Sequence, residues 1–522
     1  MGIWAKLLLK GRLLLAVSVL AGTLLACARS ILPEDDPAWR VPEQEAGALL
    51  TAGVPNAAGA PTPTPFLPPT RVPGSPILTP TPDEPHALPE VRREPVQYVV
   101  QAGDSLGIIA QRYGVTLEQL IAANDIKNAN LLEVGQTLTV PVPTPQGLGP
   151  DFKIIPDSEL VLGPAATTFD MQAFVNSQGG YLAQYQEEVD GKSLTGVEIV
   201  DRVARDFSVN PRLLLAVLQY QSGWLTKTDL PEGKINYPMG VREEWRKGLY
   251  RQLSWAANNL NRGYYLWRVN GISTWLLGDG SVVPIAATIN SGTAGVQAMF
   301  AALYGRDDWM QIVSPDGFFA TYSQMFGYPF DLAVEPLLPA GLRQPPMQLP
   351  FEASRDWAFT GGPHGGWGDG SAWAALDFAP PIEALGCVQS DEWVVAVADG
   401  PILRAGDGAV IQDLDGDGLE QTGWVVLYMH IEARDRVKPG TVLKAGERIG
   451  HPSCEGGVTT GTHVHLARRY NGEWIAADQT LPFVLDGWVS RGAGKEYDGF
   501  LERKGHVIEA WAGLRPENIL QR

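Results

Sequence analysis

The sequence predicts a multidomain chain: a small unit reading strand, helix, helix, strand, then a mainly helical middle, then a C-terminal region of short strands loaded with histidine. Three observations predict it. Between residues 97 and 141 the apolar positions pass from strand to helical spacing and back. From 163 to 332 helical spacing dominates. From Gly361 to His465 the chain gathers five of its seven histidines, His364, His430, His451, His463 and His465, among short apolar strands. With 522 residues there is room for about three domains at ~150 residues each. Charged residues make up 19% and the net charge is -18, so no basic stripe points to nucleic acid.

At the N-terminus Lys6, Lys10 and Arg12 precede the apolar run Leu13 to Leu20, a basic region and a core of signal-peptide length. The segment ends Leu24-Leu25-Ala26-Cys27, which resembles the bacterial lipoprotein box. The resemblance implies a lipoprotein signal over 1–27, with Cys27 acylated and membrane-anchored on the extracytoplasmic side; a simple secretory signal or a single membrane anchor is the alternative. Residues 28–96 lose periodicity and fill with Pro and Thr, as in Pro61-Thr62-Pro63-Thr64-Pro65. Such a stretch cannot bury a core and favours extended polyproline segments of ~3 Å per residue, a stalk that gives reach.

Residues 97–141 start with a strand and turn at Tyr98 to Leu106, where Asp104 and Ser105 are candidate helix caps. Ile108, Ile109, Tyr113, Leu117, Leu120 and Ile121 keep helical spacing, Asn124 ends the second helix, and Leu132 to Pro141 returns as a strand. The unit resembles the LysM domain, a βααβ module that binds N-acetylglucosamine-containing glycans. The resemblance implies a groove at about Gly103 to Leu106 and Asn130 to Leu132.

In the helical region, 163–332, Val197, Ile199, Val200, Val203, Ala204 and Phe207 mark an amphipathic helix, and Asn210-Pro211 is a cap with Pro at the first helical position. Leu213 to Trp224, with Gln221-Ser222, resembles the start of lysozyme-like lytic transglycosylase domains, and Ala286 to Val296 their later signature. In that family a glutamate protonates the glycosidic oxygen. Here Gln221, or Gln219 on the other alignment, places an amide there, which cannot donate as a carboxylic acid does. Glu243 and Glu244 lie outside the matching helix, so the domain is expected to be degenerate, holding glycan or serving structure.

In the C-terminal region, 349–488, Gly461-Thr462-His463-Val464-His465-Leu466 reads as a strand whose period of two puts both imidazoles on one face. His364 opens a Gly-rich loop, and Asp377 lies in the apolar strand Ala374 to Phe378. With one histidine of the pair they form a two-His, one-carboxylate set, the donor pattern of catalytic zinc with a fourth position open. Trp424 to His430 reads as a strand whose terminal His430 by alternation shares a face with Tyr428 and Val426.

At these residues the segment resembles the lysostaphin-like zinc endopeptidases, antiparallel β-sheet enzymes that cut peptide cross-links of bacterial peptidoglycan. The family's first motif falls on His364 and Asp377, its His-x-His motif on His463 and His465, and its isolated strand-end histidine on His430. The resemblance implies His364, Asp377 and His465 as zinc ligands. Zinc so held lowers the pKa of a water towards ~7. His463 would take the water's proton, and His430, cationic or hydrogen-bonding, would stabilise the oxyanion. His451 and His506 match no motif. Two rival functions come from other classes: a catalytically dead peptidase fold that activates another hydrolase, and a glycan-cleaving enzyme acting through the helical region.

Cysteine usage agrees with export. If Cys27 carries lipid, Cys387 and Cys454 remain to pair in an oxidising compartment, with buried free thiols as the alternative. Asp413-Leu414-Asp415-Gly416-Asp417-Gly418 resembles the first half of a calcium loop, making Asp413, Asp415 and Asp417 candidate Ca2+ ligands. Position 12 would be Trp424 rather than a glutamate, and a solvated acidic hairpin tip is the alternative. Residues 489–522 form a C-terminal extension with no motif. The expected partners are peptidoglycan, through its peptides and glycan, and a membrane.

Overall fold

The structure, a computed structural model, describes residues 80–88, 93–101, 104–129, 131–142, 147–382, 384 and 386–522. The expected signal, Cys27 and nearly all of the stalk lie outside these residues, as do Gly103 and Asn130. No helix among the described residues is long and apolar enough to cross a membrane. The described residues divide into two compact units, the smaller within 93–142 and the larger holding 80–88 with 147–522.

The smaller unit has the expected order: β1 (Val96–Val99), α1 (Leu106–Arg112), α2 (Leu117–Ala123) and β2 (Thr137–Val140). β1 and β2 pair antiparallel. Tyr98, Leu106, Ile109, Leu120, Leu138 and Val140 close a core of their own. Thr116 caps α2 in a capping box with Gln119, which satisfies two otherwise orphaned N–H groups. The Asn124 side chain ties the end of α2 to β2, donating to Thr139 O and accepting from Thr139 N. The Asp104 carboxylate accepts from the Tyr98 hydroxyl and Gln101 N, which fixes the turn after β1.

The larger unit has a helical layer and a β layer. In the helical layer a hairpin of β3 (Gln186–Val189) and β4 (Lys192–Thr195) leads into α3 (Gly196–Phe207), followed by α4 (Pro211–Ser222), α5 (Leu249–Arg268) and α6 (Ser291–Ala301). Asn210 caps α4 as expected, its side chain accepting from Arg212 N. The β layer is a nine-stranded antiparallel sheet whose main strands are β5 (Asp356–His364), β6 (Ala375–Ala379), β7 (Gly400–Gly406), β8 (Ala409–Asp413), β9 (Trp424–Met429), β10 (Val464–Tyr470) and β11 (Ile519–Gln521). Their spatial order is β7, β8, β9, β10, β6, β5, β11.

Both faces of this sheet are covered. Along β9, Val426 and Tyr428 join one core with Phe378 and Leu466, whereas Val425, Leu427 and Met429 join the core of the helices. Ala375, Ile411, Ala467 and Trp474 belong to the same helical core. The helices therefore serve as the second layer of the sheet, and a strand buried on both sides reads as a continuous apolar run. Polar contacts seal the seam: Arg268 pairs with Glu473 at 2.7 Å, Trp474 N donates to the Tyr265 hydroxyl, and Arg404 meets Asp206 at 3.2 Å.

Candidate metal centre

Strand pairing assembles the site. His465 on β10 lies directly across from Asp377 on β6, and Met429 at the end of β9 lies across from His465 on its other side. β5 delivers His364 at its last residue, after register shifts at Phe359/Gly361 and Gly361/His364. Gly361 is required there, because a Cβ would sit 2.6 Å from Asp377 Oδ2. The expected loop at His364 is instead a bulged strand end, in which Gly361-Gly362-Pro363 breaks the apolar pattern. On β10, His465 shares a face with Ala467, so the ligand lies on the side of the sheet that the helical layer packs against.

Hydrogen bonds orient the imidazoles, and tautomers are assigned from these partners. A carbonyl can only accept, so His364 Nδ1 donates to Gly362 O at 2.8 Å and His465 Nε2 donates to Gly366 O at 3.1 Å. In the neutral rings His364 Nε2 and His465 Nδ1 are then lone pairs, and they lie 2.9 Å apart. Asp377 Oδ1 is 3.2 Å from the first and 3.3 Å from the second, buried and without a hydrogen-bond donor. Three acceptors crowded together repel unless a cation lies among them. The edge of a tetrahedron with metal bonds of about 2.0–2.2 Å is roughly 3.3–3.6 Å; the two Asp377 separations come close to it and the two nitrogens stand nearer still. The residues present thus fit a zinc ion with backbone carbonyls orienting the ligands.

The second pair of histidines stands beside this set. His463 Nδ1 donates to Gly461 O at 2.8 Å, and its Nε2 lies 3.6 Å from Asp377 Oδ1. His430 donates through Nδ1 to Glu455 O at 3.1 Å, and its ring centroid is 4.6 Å from that of His463. One expectation fails here. His430 does not share a face with Tyr428 and Val426: its φ of +64° breaks the alternation past the strand end and turns the ring toward the other histidines. Burial, then the neighbouring His463 and His465, push its pKa down to about 4, so it rests neutral rather than cationic. Burial likewise lowers that of His465. For Asp377 burial is outweighed by His364 and His463, which hold its carboxyl well below the usual range.

Sequence reasoning missed Tyr497. Its ring stacks on His364 with centroids 4.2 Å apart and planes 20° from parallel. Two backbone bonds clamp it to β5, Gly362 N to Tyr497 O and Tyr497 N to Pro363 O. Its φ of +68° is an outlier for a bulky residue, held by this clamp. Burial and then Asp377 raise its pKa, so the hydroxyl keeps its proton. A lone tyrosine in a loop carries no periodicity, and only the left-handed turn at Gly494 nearby marks the segment.

Elsewhere, Cys387 and Cys454 form a disulfide, as expected of an oxidising compartment. Asp413, Asp415 and Asp417 come within 4.8 Å of one another in the β8–β9 hairpin. Asp413 accepts from the N–H groups of Asp415, Gly416 and Gly418, and burial with Asp413 pushes Asp415 up to about 8. In the helical layer, the Gln221 amide donates to Met239 O and its oxygen accepts from the Tyr304 hydroxyl, so both ends are used internally. His451 is buried with Nδ1 donating to Glu392 O, and His506 is exposed.

Family models match three stretches: the LysM domain at 98–141, the LasA N-terminal domain at 153–338, and peptidase family M23 at 385–477. The last begins after His364 and Asp377. Protease LasA of Pseudomonas aeruginosa (strain UCBPP-PA14) is 26% identical over 344 residues, covering 61% of this chain and 74% of that protein. N-acetylmuramoyl-L-alanine amidase XlyA of Bacillus subtilis (strain 168) is 34% identical over 119 residues, 22% of this chain and 39% of that protein. A solved structure titled as the M23 metalloprotease pseudoalterin from deep-sea matches at 24% identity and a TM-score of 0.28, covering 35% of this chain and all of that one. The family matches, with LasA, support a peptidase of family M23 that carries a LysM domain.

Proposed function

We propose that this protein is a zinc metalloendopeptidase that hydrolyses peptide cross-links of bacterial peptidoglycan, lipid-anchored through Cys27 outside the cytoplasm, its LysM domain holding N-acetylglucosamine-containing glycan. The observation that carries it is the buried, donorless Asp377 Oδ1 facing two imidazole lone pairs. His364, Asp377 and His465 would hold the zinc, which when bound supplies Lewis acidity and an acidified water. His463, whose Nδ1–H is spent on Gly461 O, offers Nε2 as the base for the water's proton and returns that proton to the leaving amine. The Tyr497 hydroxyl, which keeps its proton, would donate to the developing oxyanion, whereas His430, neutral and with its Nδ1–H on Glu455 O, lacks the free donor an oxyanion needs and packs beside His463. The engaged Gln221 amide disfavours glycan cleavage by the helical layer.

Purified full chain incubated with cross-linked peptidoglycan should release new amino groups, with peptide-cleaved muropeptides in the mass spectrum. Zinc-loaded protein that leaves every cross-link intact would favour the activator reading, and cleaved glycan strands would favour the glycosidase.

A further inference from the structure

We infer that helix α5 of the helical layer positions the metal ligand His465, with Asn258 as the positioning residue. This rests on the proposed ligand set and adds a second contact beyond it. His465 keeps its Nδ1 lone pair toward Asp377 because its Nε2–H is held by Gly366 O. Gly366 in turn has no freedom of its own. A Cβ there would lie 2.6 Å from Trp474, and its N–H donates to Ala372 O across the neck of the loop 365–372. Within that loop Trp367 N donates to the Ser371 hydroxyl, which donates to Gly368 O, so the loop moves as one piece.

The far side of this piece rests on α5. Asn258 Nδ2 donates to Asp369 Oδ1 at 2.6 Å while its Oδ1 accepts from Gly370 N at 2.9 Å, a fork that fixes the loop in two directions. The approach is backbone against backbone: a Cβ on Gly370 would sit 2.0 Å from Asn258 O, and one on Gly368 2.6 Å from Asn258 Oδ1. Arg262 adds an ion pair to Asp369 at 2.7 Å, but with side chains 37% and 69% exposed it contributes little. The Asn258 fork therefore determines where Gly366 O sits and, through it, the angle of the His465 ring.

The test uses the full chain, with zinc affinity measured by chelator competition and the d–d absorption spectrum of the cobalt-substituted protein as a report on ligand geometry. Asn258→Leu removes the fork at similar size, and zinc affinity should fall about tenfold with shifted cobalt bands, the lower end of what outer contacts to metal ligands contribute. Asn258→Asp combined with Asp369→Asn rebuilds the fork with donor and acceptor exchanged across the 258–369 bond, and should restore both readouts. Lys192→Ala breaks another contact between the layers, the 2.7 Å pair with Asp407, and should change neither. Should Asn258→Leu fail to fold, Asp369→Ala on the exposed loop frees half of the fork and should move both readouts in the same direction. Wild-type affinity and spectrum in Asn258→Leu, or in Asp369→Ala where it stands in, overturn the inference. So does a loss that the exchanged pair leaves unrepaired, which would mark general weakening of the seam. A wild-type chain that takes up neither metal overturns the ligand set instead.

Discussion

His463 and His465 stand two residues apart on one chain segment and are spent differently. The difference comes from which nitrogen each ring commits: His465 gives Nε2 to Gly366 O and brings Nδ1 to 3.3 Å from Asp377 Oδ1, whereas His463 gives Nδ1 to Gly461 O and holds Nε2 at 3.6 Å from the same oxygen. His463→Ala should therefore lower kcat by about 10²–10⁴ while zinc content stays near one per chain, and His465→Ala should lose the zinc. Metal analysis beside a peptide-release assay separates them, and loss of zinc in the first variant would reassign His463. Tyr497→Phe keeps the ring on His364 and removes the hydroxyl, so kcat should fall by about 10²-fold with KM and zinc content little changed. An unchanged kcat would make Tyr497 a packing residue. The four histidines and Asp377 were legible in the sequence because their chemistry is specific and their spacing joint. Tyr497 and the turn at His430 were not, because a positive φ leaves no trace in polarity alternation.

At the scale of elements, an apolar run located β6, period-two geometry located β10, and both failed on β5. Gly361, Gly362 and Pro363 weaken a strand, and there they are tolerated because the strand bulges to let Asp377 and the Tyr497 loop approach the backbone. Asp413, Asp415 and Asp417, expected as calcium ligands or as a solvated hairpin tip, come together around Asp413, which accepts from the N–H groups of the loop itself. Cysteine count foretold the bridge between Cys387 and Cys454, which closes 67 residues including β7, β8 and β9. In the chain-entropy account a loop of that length contributes about 4 kcal/mol. Replacing both cysteines with serine should lower the melting temperature of the larger unit by about 5 °C, and calorimetry showing no change would mean that the folded state gives back in strain what the unfolded chain loses in freedom.

For the whole molecule the seam between helices and sheet is the dominant feature, and its charges titrate. Glu420 is buried, which alone would raise its pKa, yet Arg404 at 2.8 Å and Arg469 at 3.0 Å bring it down to about 2. A carboxyl whose folded pKa lies below its unfolded value of 4.5 adds stability above pH 4.5, and that stability is lost as pH falls toward about 2. Melting temperature should fall across that window, and Glu420→Gln should flatten the slope while destabilising the protein at pH 7, because the buried Arg469 is left unpaired. An unaltered acid slope in that variant would place the titration elsewhere.

The apolar side of the seam makes a sharper demand. Ala375, Ile411, Val425, Leu427, Met429, Ala467 and Trp474 lie together on one face of the sheet, each buried where the helices cover it. Uncovered, such a face exceeds the few hundred Å² that a monomer tolerates. A fragment of residues 343–522 should therefore bind hydrophobic dye and aggregate, and co-expression with residues 147–342 should rescue it as a stable complex. The run Val425-Val426-Leu427-Tyr428-Met429 already carried this information, since a strand with one wet face would alternate and this one does not. A monomeric fragment with a sharp melting transition of its own would mean that the sheet needs no second layer, and the seam would then join two domains that each fold alone.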